Sequence, residues 1–286
     1  MGTTFPGRAG VPQARTLLIA ISVTLIVGWP RPAATQVQVT DASHPVGGSR
    51  LPPAAVKVIL YGDSLAWEAQ DSFRAALAAR GISDVTTETL GGTAICDWLP
   101  RMRHDRAVLQ PDAVVVEFSG NALTPCMRGS MGVPLSGQEY FEKYADDAQQ
   151  VLRIFGSGGT TVYLAGAPIS LTAERAHNPT TGRLNRLYAL LADSYPNSRY
   201  IDAGAAVMLH GHWTKTLPCL PEERCSGDRD PSGRLVNIVR APDGTHFCPT
   251  APAAVRGVTN NCRVYSSGAY RYGVAMASLI LGRRAT

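Results

Sequence analysis

A chain of 286 residues, 45% hydrophobic and 17% charged, has enough apolar side chains to fold around a sizeable core, which excludes general disorder. The absence of any apolar run near ~20 residues argues against a multi-span membrane protein, while 20 Pro and 28 Gly imply well-punctuated loops. The formal charge of +5 is concentrated at one end: Arg8, Arg15 and Arg31 lie in a first stretch of 35 residues without Asp or Glu, and the remainder carries 24 Lys and Arg against 22 Asp and Glu, so nucleic-acid binding loses its electrostatic argument.

In chain order, residues 1–35 read as a targeting segment. Arg8 and Arg15 precede an apolar run at 16–29, and the breaker string Pro30-Arg31-Pro32-Ala33-Ala34 comes next. Positive flank, short apolar run and small residues form the pattern of a secretory signal. Fourteen helical residues cover roughly 21 Å, short of the ~30 Å hydrocarbon core. No clean A-x-A cleavage site is present, so an uncleaved anchor in contact with the membrane stays open. On either reading the body is exported, secreted or held at the cell envelope. Residues 36–54, polar and Pro-rich, read as a tether, and residues 55–286 as one domain.

Within that domain strand and helix patterns alternate. Residues 56–61 form a continuous apolar run, as expected of a parallel strand buried on both faces. Helical spacing runs over 64–80, with Leu65, Phe73, Ala76 and Leu77 apolar and Gly81 as the stop. Strands are expected at 85–90, 113–118, 160–165 and 199–202, and helices at 140–155, 182–194 and 269–281. Such alternation implies a parallel sheet with helices on both faces, a three-layer α/β/α domain. Residues 203–245 break the rhythm and read as a long loop or insertion forming a wall of the site.

The six cysteines suit an oxidising compartment, although six permit fifteen pairings. Cys219 and Cys225 flank a short Pro-containing loop and are expected to pair; Cys248 and Cys262 bracket another. Metal-ligand spacings of the C-x₂₋₄-C or H-x₃₋₅-H kind do not occur, and no metal or organic cofactor is implied.

Ligands of open α/β sheets bind outside the carboxyl ends of the strands. There this chain carries Gly62-Asp63-Ser64-Leu65 after the first strand, Gly91-Gly92-Thr93 after the second and Gly120-Asn121 after the third. Asp243-Gly244-Thr245-His246 stands before the last helix. A serine hydroxyl is a weak nucleophile until an adjacent base takes its proton. Ser64 on a strand-to-helix turn, His246 as base and Asp243 to fix the imidazole tautomer would meet that need. The backbone N–H groups of Ser64 and Gly92 and the side-chain amide of Asn121 would receive the oxyanion of an acyl-transfer intermediate. Asp63 reads as structural, its carboxylate satisfying loop N–H groups.

These four blocks, in this order, resemble the SGNH (GDSL) hydrolase superfamily of esterases, lipases and acyl-transferring enzymes. The resemblance runs over most of residues 56–282 in element order, carried closely by about fifteen residues. It implies a flavodoxin-like SGNH fold with disulfide-braced loops, a Ser64–His246–Asp243 triad, and an oxyanion hole from Ser64, Gly92 and Asn121. Gly91 is the alternative second-block donor; Gly92 is preferred because the small polar Thr93 comes after it. The third block departs from the usual Gly-x-Asn-Asp, since Ala122 stands after Asn121. The same resemblance pairs Cys96 with Cys126, each four or five residues past an oxyanion-hole position, and sets Cys248–Cys262 as a brace for the catalytic loop.

The ending, His246-Phe-Cys248-Pro and later Ser267-Gly-Ala-Tyr-Arg-Tyr-Gly, looks more like SGNH domains associated with envelope acyl transfer than like secreted lipases. The implied substrate is an ester, a small acyl group on an envelope glycan or glycolipid, cleaved or transferred. The alternatives are a lipid esterase of broad chain-length tolerance and a non-catalytic envelope module that keeps the fold. His210-Gly-His212 reads as surface or packing rather than metal ligation. Arg101, Arg103, His104 and Arg106 read as a solvated basic face, with contact to an anionic substrate as the alternative.

Overall fold

In the computed structural model, which describes residues 56–249, 262 and 264–282, the apolar runs become strands whose alternate side chains feed two separate cores. β1 (Lys57–Gly62) sends Val58 and Leu60 to one face and Ile59 and Tyr61 to the other, all four at most 2% exposed. β3 (Ala113–Glu117) and β4 (Thr161–Ala165) divide in the same way. This is the period-two alternation of a strand covered on both sides. The first core is closed by α1 (Ser64–Ala78) and the carboxyl-terminal α6 (Ser267–Gly282). The second is closed by α2 (Ile95–Val108), α3 (Gly137–Gly156) and α5 (Thr180–Ser194). The expected three-layer α/β/α domain is therefore present.

Two further strands, β2 (Asp84–Thr89) and β5 (Ser198–Ile201), complete a five-stranded parallel sheet in the order β2-β1-β3-β4-β5, the flavodoxin-like order. β2 is an edge strand and is polar: Thr87 and Thr89 hydrogen-bond Gln70 of α1 rather than entering a core. The order positions the candidate site. β1 lies between β2 and β3, so the loop leaving β1 is flanked on one side by the second block and on the other by the third.

Helix α2 and the single-turn α4 (Leu171–Arg175) are additions to the expected elements. α2 escapes pattern reading because Pro100 interrupts it and only Ile95, Leu99 and Met102 of its apolar positions are buried. The basic cluster belongs to this helix, with Arg101, Arg103 and His104 exposed as a solvated face requires and Arg106 part-buried. Arg101 binds Glu88 at 2.7 Å and Asp105 at 2.9 Å, and Arg103 reaches Gln150. The stretch 203–245 is more ordered than a long loop. A 3-10 turn (Ala203–Val207) leads into the hairpin of β6 (Met208–Leu209) and β7 (His212–Trp213), and β8 (Thr216–Pro218) pairs with β9 (Val236–Ile238). His210 and Gly211, both with positive φ, form the tight turn of the first hairpin, and His212 Nδ1 meets Glu174 at 2.9 Å. The expected signal or anchor at 1–35 and the tether at 36–54 lie outside the described residues. Among the described residues no helix is long and apolar enough to cross a membrane.

Candidate active site

The turn that carries Ser64 is built by leaving one donor unused. A helix start presents N–H groups without intrahelical acceptors. In α1, Leu65 N–H donates to Asp63 Oδ1 at 3.0 Å, Ala66 N–H to Glu117 Oε2 at 3.1 Å, and Trp67 N–H to the Asp63 carbonyl at 2.9 Å. The N–H of Ser64 has no acceptor among the described residues. An unpaired donor at the positive end of a helix suits an incoming anionic oxygen.

Asp63, fully buried, is the hub of this region. Besides capping α1, its Oδ2 accepts from Ser119 N at 2.7 Å, Ser119 Oγ at 2.6 Å and Asn121 Nδ2 at 2.8 Å. Burial pushes its carboxyl above the usual value, opposed by the Ser119 and Leu65 hydrogen bonds and by the charge of His246. Ala122, at the third-block position where aspartate is usual, packs against the second core, and three tyrosine hydroxyls hold the block instead. Tyr188 donates to the Phe118 carbonyl at 3.3 Å, Tyr140 to Gly120 at 3.0 Å and Tyr144 to Asn121 at 2.8 Å. Helical spacing marks these tyrosines only as core, so their carbonyl partners were not readable from sequence.

The oxyanion candidates are placed unevenly. Gly91 lies against Ser64, since a Cβ on it would stand 3.5 Å from Ser64 Cβ, whereas Gly92 has φ of +79° and no atom within 4 Å of such a Cβ. Both N–H groups lack an acceptor among the described residues. The Asn121 amide is engaged: besides Asp63 it reaches the Thr93 carbonyl at 3.2 Å. To meet an oxyanion, Asn121 would have to release this longer bond, which also ties the third block to the second.

Asp243 and His246 are joined, with Oδ2 2.7 Å from Nδ1. Asp243 Oδ1 also accepts from the N–H groups of Thr245 and His246 at 2.8 and 3.0 Å, an Asx-type turn that fixes the imidazole over the carboxylate. Burial pushes the Asp243 carboxyl up, but the His246 side chain and these two N–H groups outweigh it and leave it below the ordinary value. Gly244 takes φ of +76°, and a Cβ there would collide with Leu171, so the turn requires glycine.

This turn is suspended from outside. The Gly244 carbonyl accepts from Leu171 N at 2.9 Å and Trp213 Nε1 at 2.8 Å, and the Thr245 carbonyl from Arg240 Nη1 at 3.0 Å. Arg240 is buried, and its other terminal nitrogen donates to the Ile169 carbonyl at 3.0 Å; burial lowers its pKa to about 10. A lone Arg in a loop gives no sequence signal for this role.

Glu68 brings the two halves together. It stands one helical turn after Ser64 and so on the same face of α1. Its Oε2 accepts from Phe247 N at 2.6 Å and Cys248 N at 3.1 Å, which seats the residues after His246 on the helix that Ser64 begins. No direct Ser64–His246 hydrogen bond occurs among the described residues. Three disulfides surround the region. Cys96–Cys126 links the start of α2 to the 3-10 turn after the third block, Cys219–Cys225 closes a loop beyond β8, and Cys248–Cys262 lies just past the Glu68 contact. They fit an extracellular or other oxidising compartment.

Comparison with solved structures places this fold beside a lipase/acylhydrolase from Enterococcus faecalis, with 18% identity over 80% of this chain and 96% of that one and a TM-score of 0.50. Also similar are a putative acylhydrolase from Bacteroides fragilis (13% identity, 79% and 86% covered, TM-score 0.49) and a GDSL-like lipase from Bacteroides thetaiotaomicron (11%, 79% and 88%, 0.48). The α/β/α fold that the SGNH resemblance implies is shared with the first of these structures. No curated protein matches the sequence. Residues 57–255 match the family described as Protein of unknown function (DUF459), and the chain belongs to it.

Proposed function

We propose that this chain is an exported serine ester hydrolase of the SGNH type. The observation that carries the reading is the Glu68 tie, which seats a hydrogen-bonded Asp243–His246 pair on the helix whose first residue, Ser64, keeps an unpaired N–H. His246 Nε2 takes the Ser64 Oγ proton as the oxygen attacks the ester carbonyl, and Asp243 stabilises the imidazolium. The oxyanion forms against Ser64 N–H, an N–H of the Gly91–Gly92 turn, and Asn121 Nδ2 once it leaves Thr93. His246 then passes the proton to the departing alkoxide. Water, or a sugar hydroxyl in a transfer reaction, releases the acyl group through the same histidine. The route uses protein groups alone.

The substrate in this reading is a small acyl ester on a cell-envelope glycan or glycolipid, reached by secretion or by anchoring through residues 1–35. Support comes from the likeness of the Cys248-containing ending to envelope acyl-transfer domains. Hydrolysis of p-nitrophenyl esters from acetyl to palmitoyl, by the wild type and Ser64→Ala, tests the reading. Activity on short chains that disappears in the variant is the expected result. Preference for long chains would make the chain a lipid esterase. An inert wild type whose Ser64 also resists a fluorophosphonate probe would leave a non-catalytic module, the reading that the engaged Asn121 amide favours.

A further inference from the structure

Directly beneath the nucleophile turn lies a second carboxyl that the reaction above does not use. Glu117, the last residue of β3, is fully buried and holds the turn on both sides of Ser64, at Asp63 and at Ala66. Its Oε2 accepts from Ala66 N–H in the first turn of α1, its Oε1 accepts from the Tyr272 hydroxyl of α6 at 2.9 Å, and its backbone carbonyl accepts from Asp63 N–H at 3.2 Å. The two carboxyls are neighbours, since they accept from successive N–H groups of the first turn of α1, Asp63 from Leu65 and Glu117 from Ala66. A Cβ on Gly62 would stand 3.2 Å from Glu117 Oε2 and 2.8 Å from the Glu117 carbonyl, so the strand end leaves room for this carboxyl and little more.

Two buried carboxyls in contact cannot both ionise without a nearby cation. The groups facing Glu117 are Asp63 from the β1–α1 turn, Tyr272 from α6 and Tyr188 from α5, none of them cationic; the positive charges nearby act one group away, Arg240 on Tyr272 and His246 on Asp63. The donors decide which carboxyl keeps the proton. Asp63 receives four, from Leu65, Ser119 twice and Asn121, as an anion requires. Glu117 receives one outright, from Ala66 N–H, and competes for the single Tyr272 proton with the Gly166 carbonyl, 3.1 Å from the same hydroxyl; its own O–H can serve as a further donor to Asp63 Oδ1, which otherwise accepts only from Leu65.

We propose that Glu117 and Asp63 form a proton-sharing pair in which neutral Glu117 is the positioning residue, holding ionised Asp63 against Ser119 and Asn121 and the Ala66 N–H in place. Burial together with the neighbouring Asp63 charge raises the Glu117 pKa well above the ordinary glutamate range, in the direction this pairing needs. For its catalytic consequence the pair rests on the hydrolase reading; its protonation does not.

Infrared spectra of the full chain at neutral pH, in H₂O and D₂O, test the proton directly. A protonated-carboxyl C=O band that is absent in Glu117→Gln and shifted in Tyr272→Phe is expected. A spectrum in which no protonated-carboxyl band responds to either variant overturns the proposal. Should Glu117→Gln fail to fold, the Tyr272→Phe shift decides alone. The positioning role is read from the pH profile of Ser64 labelling by a fluorophosphonate. Labelling of the wild type should fall as Glu117 ionises on the alkaline side, while Glu117→Gln, neutral at every pH, should stay within about threefold of its neutral rate. Identical profiles would remove the positioning role. If Ser64 labels at no pH, the hydrolase reading fails and the infrared result still stands.

Discussion

The two halves of the site are held by opposite means. The nucleophile half is internal: Asp63 and Glu117 are fully buried at the end of the central strands and satisfy nearly every donor around Ser64. The base half is peripheral: the side chains of Asp243 and His246 are 53% and 33% exposed, and their turn hangs from Leu171, Trp213, Arg240 and Glu68, each on a different segment. In the proposed mechanism the nucleophile must not move, and Ser64 is built into the sheet's end, where packing is dense and water does not compete for the hydrogen bonds. The same mechanism has His246 alternate between protonation states, and it sits where solvent tolerates a charge. Substitutions should therefore separate: those in the base half cost rate, those in the nucleophile half cost the fold.

The sharpest break of that contrast is Asp243→Asn. The side chain keeps its shape but offers the imidazole the wrong tautomer, and a fall of about 10⁴ in kcat is expected with little change in Tm. Matched melting and ester-hydrolysis measurements check it; a large loss of Tm would mean that the base half is structural too. Asp63→Ala should behave conversely. It orphans four donors, the Leu65 N–H buried and those of Ser119 and Asn121 part-buried, and at roughly 1–3 kcal/mol per buried unpaired group it should lower the stability by about 3 kcal/mol in urea.

Removing the Cys96–Cys126 bridge with paired serines should cost about 2–4 kcal/mol, since it frees a loop spanning 30 residues of sequence. The two sides of the oxyanion site would also come apart, so KM and kcat should both suffer if the bridge holds them in register. Chemical denaturation of the double variant gives the first figure. Glu117→Gln sharpens the contrast through pH. A carboxyl whose folded pKa is raised binds more protons in the folded state, so wild-type stability falls as pH rises from about 4.5 towards the folded value, at up to ~1.4 kcal/mol per pH unit. The Gln variant should lose that slope, and parallel Tm–pH curves for the two proteins would contradict the assignment.

The legibility of the sequence divides along the same line. Strands buried on both faces announce themselves as apolar runs, and the residues of the four blocks stand at strand ends where topology alone brings them near one another, as Asp63, Asn121 and Thr93 are. Asp63 was readable as structural because a carboxylate after a buried strand needs donors. What could not be read depends on side chains reaching across the chain. Glu68 is an ordinary helical glutamate until the loop 179 residues later lands on it. The tyrosines that hold the third block look like core, and Arg240 looks like surface. Helix α2 was hidden for a local reason: with Pro100 inside it and charges on most of its turns, its packing against the second core comes from three residues that no periodicity singles out.

The smallest effect is expected at Trp213, and it is the most informative about how the base half is suspended. Trp213→Phe deletes the Nε1–H that donates to the Gly244 carbonyl, but that carbonyl still accepts from Leu171 N–H, so no acceptor is left bare. The ring itself is only partly buried, so little packing is lost. A stability change of about 1 kcal/mol or less is expected. The same energy, lost from the turn's orientation, would lower kcat by about fivefold, with KM unchanged, because the imidazole and not the substrate is what the turn aims. If kcat fell as far as in Asp243→Asn, the four suspensions would not be independent: Trp213 alone would set the histidine, and the hairpin of β6 and β7 would belong to the catalytic apparatus rather than to its support.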